Sequence, residues 1–231
     1  MSTKFLASRR FFSIILIMAI LKTENLSCTL PNGRRLYHNL DLELQPGSAV
    51  MIYGPTGSGK STLTKLLLGL RDDYGGKIEL FGRDLNQIRS SGMVNLRAKI
   101  GFQLEEPVVL EDLNLLDNLA TYLKIDHIKI NKRKLLSALY ENGFSGLQKK
   151  KISSLSWGEM RLIEMLRISL KAPALVICDQ PFAALDGDKK KWTAERLKAL
   201  KIAGSAVLIT YSQPEIGELL NWPIVNLEEL N

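Results

Sequence analysis

Eight residues, Gly54-Pro55-Thr56-Gly57-Ser58-Gly59-Lys60-Ser61, set glycines, a lysine and a hydroxyl in the spacing G-x-x-x-x-G-K-[ST]. The residue types state a chemistry. Glycines let successive backbone N–H groups turn inward around an anion, and a helix starting there adds the positive end of its dipole. The lysine brings a point charge to the terminal phosphates, and the serine hydroxyl is a ligand for Mg²⁺. A second segment, Leu175-Val176-Ile177-Cys178-Asp179-Gln180, ends an apolar run in a carboxylate followed by an amide. An acid at the end of a buried strand, well downstream of a phosphate loop, is placed to hold Mg²⁺ through water. Lys60, Ser61 and Asp179 therefore predict a nucleotide site with its cation.

Those groups need a scaffold. Ala49–Tyr53 is a short apolar strand before the loop, and Leu63, Leu66, Leu67 and Leu70 follow it at helical spacing. A strand before and a helix after the loop is the context the motif requires. Residues 20–30 and 36–44 read as strands parted by a turn at Pro31-Asn32-Gly33, and 77–81, 174–178 and 206–210 as further strands. Residues 188–202 read as a helix, and "PIVNL" near the end as a short strand. Between them, 106–170 carries mostly helical patterns, with breaks at Asn142-Gly143 and near Ser153. Strands alternating with helices argue for an α/β fold with a mainly parallel sheet, and 106–170 for a helical insertion.

With 231 residues the chain can build a large core, and its net charge of +7 includes the clusters Lys149–Lys151 and Lys189–Lys191. Such clusters are mostly solvated surface. The basic residues are not interleaved with aromatics as in single-strand binders, so no nucleic acid partner is expected. Cys28 and Cys178 are too few for a disulfide framework, and Cys178 lies in an apolar run, as a reduced thiol in a reducing cytoplasm would. At the N-terminus, Arg9-Arg10 precede an apolar run from Phe11 to Leu21 broken by Ser13, too short to span a bilayer and followed by no small-residue cleavage site. Residues 1–19 are read as an extension: either an upstream start, with Met18 opening the folded domain, or a membrane-facing arm. The first reading is preferred. Residues 20–231 form the domain.

Leu155-Ser156-Trp157-Gly158-Glu159 heads a helix running toward Pro173. With the phosphate loop before it and the Asp179 strand after it, this segment resembles the signature L-S-G-G-Q/E of the ABC ATPase family. Ala184-Leu185-Asp186 is similar to the family's D-loop. The resemblance covers roughly 20–231. It implies a P-loop NTPase parallel-sheet core with an antiparallel β part and an inserted helical subdomain. It also implies ATP and Mg²⁺, with Gly54, Pro55, Thr56, Gly57, Ser58, Gly59, Lys60, Ser61, Thr62 and Asp179 on one subunit's nucleotide. Ser156, Gly158 and Asp186 would face the nucleotide of a second subunit paired head to tail. Partners would be that second subunit, self or homologue, and separate transmembrane permease chains, on the cytoplasmic side of the membrane.

Several positions depart from the family. Trp157 replaces the first signature glycine. Gln180 stands where the family has its catalytic glutamate, Tyr211 where it has a histidine, and spacing puts Glu105 rather than Gln103 at the loop glutamine. The adenine-stacking aromatic falls on Leu30, with Tyr37 read as a core residue. An amide orients water but cannot accept its proton, and general-base help is worth about 10²–10⁴ in rate, so slow hydrolysis is expected. Glutamine at 180 suits an engineered trap of the ATP-bound pair and a degenerate natural site equally. The expected function is the ATP-binding subunit of an ABC transporter; the alternative is an ATP-dependent clamp that regulates a membrane complex without transport. A chromosome or DNA-repair ATPase is disfavoured by the absence of sustained heptads, and a small-molecule kinase by the signature helix.

Overall fold

A computed structural model describes residues 18–230. The extension therefore lies outside the described residues except for Met18 and Ala19. In chain order the elements are β1 (Leu21–Thr29), β2 (Arg35–Leu44), β3 (Ala49–Tyr53), α1 (Lys60–Leu67), β4 (Gly75–Leu80), β5 (Arg83–Asp84), α2 (Ser90–Arg97) and β6 (Ile100–Gln103). Then come α3 (Leu115–Ile125), α4 (Lys132–Glu141), α5 (Trp157–Lys171), β7 (Leu175–Asp179), α6 (Gly187–Ile202), β8 (Ala206–Tyr211), α7 (Glu215–Leu220) and β9 (Ile224–Asn226).

The strands form two sheets. An antiparallel sheet has the order β2-β1-β4-β5, and a parallel sheet has the order β6-β7-β8-β3-β9. All five residues of β7 and all six of β8 are buried, which explains their unbroken apolar sequences: helices cover both faces, so alternation has no purpose. On one face, Leu63, Leu66 and Leu67 of α1 pack between the parallel sheet and the antiparallel one. On the other, Met165 and Ile168 of α5 meet Ala194 and Leu197 of α6. A third cluster, including Leu115, Leu119, Leu135, Leu139 and Phe144, closes the helical region.

Parallel register has a consequence for chemistry. Gln103 pairs with Cys178, Asp179 with Thr210, and Tyr53 with Tyr211, so the carboxyl ends of β6, β7, β8 and β3 share one edge. That edge is where an open α/β sheet presents ligands.

The structure adds elements that periodicity did not show. β6 has four residues, too few for a pattern, and its Gly101 admits no side chain: a Cβ there would lie 2.7 Å from Pro173 Cγ and 2.8 Å from Ile168 Cγ2. α2 and α7 are short, with eight and six residues. The helical insertion starts later than its first residues suggest. Residues 106–114 run without helix and tie back through a bridge between Asn114 and Lys151.

Candidate functional site

β3 delivers the chain into the glycine loop and α1 carries it away. Gly59 caps α1 with φ of 100°, and a Cβ there would stand 3.1 Å from Leu36 Cβ and 3.3 Å from Tyr37 Cε1. Glycine is required both by that left-handed backbone and by the packing. The loop closes on itself through Ser58 N–H donating to Pro55 O at 3.1 Å. Lys60 Nζ donates to the carbonyls of Gly54 and Pro55 at 2.6 and 2.7 Å, inside the loop's concavity. Burial holds its pKa below the usual lysine range, partly offset by the charges of Asp179 and Glu105. Arg34 fastens the loop tip from outside, Nη2 donating to Gly57 O at 2.9 Å. A cleft runs along this loop, lined by Thr56, Gly57 and Gly59 to Thr62, with Leu30 and Leu36 on one side and Glu105 and Gln180 on the other.

An oxygen-rich corner sits at the loop's end. Ser61 Oγ donates to Glu105 Oε2 at 3.0 Å. Asp179 is 1% exposed, and Thr210 Oγ1 donates to its Oδ1. Burial pushes the Asp179 carboxyl up, against the opposing pull of the neighbouring Ser61 and Thr210 hydroxyls. A buried carboxylate with a hydroxyl and a second carboxylate beside it is an all-oxygen donor set suited to a hard cation. Among the described residues no group of three or more His, Cys, Asp or Glu side chains forms a metal site by itself. A cation here would draw on phosphate oxygens as well, the usual habit of Mg²⁺.

Gln180 follows Asp179 with φ of 53°, left-handed and uncommon for a residue with a side chain. Its N–H donates to Thr210 O at 3.0 Å, and its side chain lines the cleft. Tyr211 is placed differently. It is 5% exposed, with its ring edge-on to Phe182 at 5.6 Å between centroids, and it is not among the cleft-lining residues. Gln103 is fully buried, its Nε2 donating to Arg161 O at 2.9 Å, whereas Glu105 reaches the cleft. Leu30 offers an apolar wall at the position expected for a stacking aromatic ring, and Tyr37 is fully buried in β2.

The signature residues stand apart from this cleft. Ser156 caps α5 in a reciprocal box: Glu159 N–H donates to Ser156 Oγ at 3.3 Å, and Ser156 N–H to Glu159 Oε2 at 2.7 Å. That hydrogen bond from the Ser156 backbone holds the Glu159 carboxyl below its usual range. Trp157 is 46% exposed. Gly158 is buried against the D-loop segment, where a Cβ would lie 2.8 Å from Ala184 O. Asp186 caps α6, accepting from Lys189 N–H at 3.1 Å and pairing with its ammonium at 2.7 Å. None of these lines the cleft built by the same chain.

Sequence reasoning missed two residues that hold the site. Thr210 grips Asp179, and Arg161 reaches the main chain of both flanking loops. Arg161 belongs to a row on α5 at intervals of three: Gly158, Arg161, Glu164, Arg167. All four are buried. Glu164 accepts from Val108 N–H at 2.8 Å and from Gln103 Nε2 at 3.2 Å, and burial pushes its carboxyl up. Every residue from Arg161 to Ile168 is buried, so these charges lie within a helix covered on all sides, where periodicity gives no signal.

Residues 37–183 match the family described as ABC transporter. The chain is 32% identical over 191 residues to the cytochrome c biogenesis ATP-binding export protein CcmA of Pseudomonas fluorescens, covering 83% of this chain and 88% of that protein. It is 26% identical over 212 residues to the phosphonates import ATP-binding protein PhnC of Treponema denticola, covering 85% and 81%. Among solved structures, the ATP-binding protein of a putative ABC transporter from Pyrococcus furiosus superposes with a TM-score of 0.76 at 24% identity, covering 91% of this chain and 98% of that one. The cassette MJ0796, a dimer bound to ADP and Pi, superposes with a TM-score of 0.76 at 23% identity, covering 85% and 89%. The glycine loop, the Asp179 strand end and the capped α5 thus sit in a fold shared with these proteins, and the chain belongs to the ABC transporter family of ATP-binding proteins, the ABC ATPases.

Proposed function

We propose that this chain is the ATP-driven subunit of a membrane transporter, binding Mg-ATP, pairing head to tail with a second nucleotide-binding subunit, and cleaving ATP slowly. The observation carrying this reading is the convergence of Lys60, Ser61, Glu105, Asp179 and Gln180 on one edge of the parallel sheet. Glycine-loop N–H groups and the α1 terminus receive the phosphates, and Lys60 exchanges its carbonyl partners for phosphate oxygens. Ser61 and Asp179, with Glu105 beside them, would hold Mg²⁺, which neutralises charge developing on the phosphates. Gln180 orients water through its amide. Without a carboxylate there, proton removal loses a factor of about 10²–10⁴.

Among the described residues no helix is long and apolar enough to cross a membrane, so the transport path is assigned to a separate chain. An open groove supports that contact. Val94 and Ile125, 64% and 62% exposed, stand on its rim, with Phe102 and Tyr122 on its walls. Relatives are named for export and for import, which supports assigning cargo and direction to the membrane partner. The chain would then work on the cytoplasmic side. Gln180 favours a second reading, a clamp whose closure signals to a membrane complex without transport. Equilibrium binding of Mg-ATP to the wild type and Lys60→Ala tests the site. Transport by the chain reconstituted with its membrane partner separates the two readings.

A further inference from the structure

We infer that Arg161 is a positioning residue for ATP hydrolysis, holding the main chain beneath both Glu105 and Gln180 and tying it to the start of α5. The inference rests on the reading that this cleft binds and cleaves ATP. Arg161 is 1% exposed and, among the described residues, makes no ion pair. Burying a guanidinium without a carboxylate is costly, with a penalty of several kcal/mol per ion before compensation. Its compensation is four main-chain carbonyls. Nη1 donates to Leu104 O and to Glu105 O at 3.0 Å; Nη2 donates to Asp179 O at 2.7 Å and to Gln180 O. Nε has no partner. One planar fork therefore bridges the segments that leave β6 and β7.

Those segments deliver the two polar side chains that line the cleft from outside the glycine loop. Gln180 needs the grip most. A left-handed backbone on a residue with a side chain persists where its surroundings over-determine it. Here Thr210 O accepts its N–H, and Arg161 binds its carbonyl. Glu105 is held at two points, by its carbonyl on Arg161 and its carboxylate on Ser61. Arg161 also lies one turn beyond Gly158, which packs so closely on the 184–186 segment that a Cβ there would lie 2.8 Å from Ala184 O. A shift of the α5 terminus is thus passed to the aim of both groups. Lysine, a point charge without the fork, cannot bridge four acceptors in one plane.

The test uses the full chain as wild type, Arg161→Met and Arg161→Lys, each alone and with Gln180→Glu. Mg-ATP affinity is measured at equilibrium, and single-turnover hydrolysis of labelled ATP at saturation. Misplacing reacting groups by about 1 Å costs about a hundredfold in rate. Arg161→Met should slow single turnover tenfold or more while affinity stays within about threefold, with Arg161→Lys in between. The rate gain from Gln180→Glu should shrink in the Arg161→Met background, because a restored carboxylate is no longer aimed. An equal gain in both backgrounds overturns the inference, as do affinity and rate falling in parallel. Binding without turnover in either the wild type or Gln180→Glu also overturns it, since nothing is then positioned. If Arg161→Met does not fold, the same comparison is made with Arg161→Lys. Failure of the wild type and Gln180→Glu to bind Mg-ATP at all is a different pattern, and removes the nucleotide reading itself.

Discussion

Two helix N-termini in this chain are proposed to meet phosphate, and they are finished in opposite ways. α1 begins at Gly59 with no side-chain cap and no acid in its first turn. α5 begins at Ser156 with a complete capping box: Ser156 Oγ accepts from Glu159 N–H, and the Glu159 carboxylate accepts from Ser156 N–H beside the helix start. A helix start leaves several N–H groups without partners inside the helix. In α1 those donors stay open to a phosphate; in α5 the chain has supplied its own acceptor. Open donors make a strong site in one subunit. A phosphate from a second subunit would reach the self-capped terminus beside the Glu159 carboxylate, whose charge opposes it. The comparison predicts an ATP site dominated by the loop, with the pairing contact the weaker partner.

The largest effect should come from breaking the open end. Lys60→Ala is expected to lower Mg-ATP affinity about a hundredfold or more, the order seen when one partner of a buried charge pair is removed. Titration with a fluorescent ATP analogue reads it, and unchanged affinity would remove the site. Next is Gln180→Glu, which should raise single-turnover hydrolysis toward the 10²–10⁴ that a general base contributes. A rate already fast in the wild type would show that another group takes the proton. On the capped end, Ser156→Arg should weaken ATP-dependent association about tenfold and leave ATP binding by the single subunit unchanged, as followed by light scattering with Mg-ATP and with ADP. Association that persists in ADP would contradict the proposed pairing. The box itself is worth about 1 kcal/mol. Glu159→Ala should therefore lower Tm by about 2–4 °C, and it should tighten pairing if Glu159 competes with phosphate.

The smallest effect concerns pH. Glu164 is raised above its ordinary value near 4.5 by burial, against the pull of Arg167. The folded chain keeps a proton there that the unfolded chain has already released. Stability from this group is therefore full below pH 4.5 and lost as pH rises through the folded value. Glu164→Gln should flatten that limb in urea titrations run across pH. An unchanged slope would show that Glu164 does not carry it.

How legible the molecule was depends on how local each feature is. The glycine loop, its strand and its helix lie within Ala49–Leu67, so one motif and two short periodicities described them. β7 was readable because an apolar run ending in Asp179 is also local. Arg161 was not, because its partners lie 18 to 57 residues away and are carbonyls, which no sequence displays. β6 escaped because four residues are too few to carry a period, although counting from the Ile-Gly pair singles out Glu105 two residues beyond its end. Tyr211 shows a different relation between position and packing. Its position in the chain suggested a group facing phosphate, but its ring packs into the core against Phe182. Position in sequence fixes where a backbone goes, while the side chain follows whichever neighbour packs best.

The chain contains three tryptophans, at 157, 192 and 222. Trp222 is buried, and Trp192 is partly covered with its ring edge-on to Phe144; Trp157, beside Ser156 at the start of α5, is the exposed one. The molecule thus carries its own optical label at the contact through which it is proposed to pair. Iodide should quench Trp157 most, the partly covered Trp192 less and the buried Trp222 least. Closure of a second subunit over α5 would withdraw that ring from the quencher, making assembly visible in the unlabelled, unmodified chain.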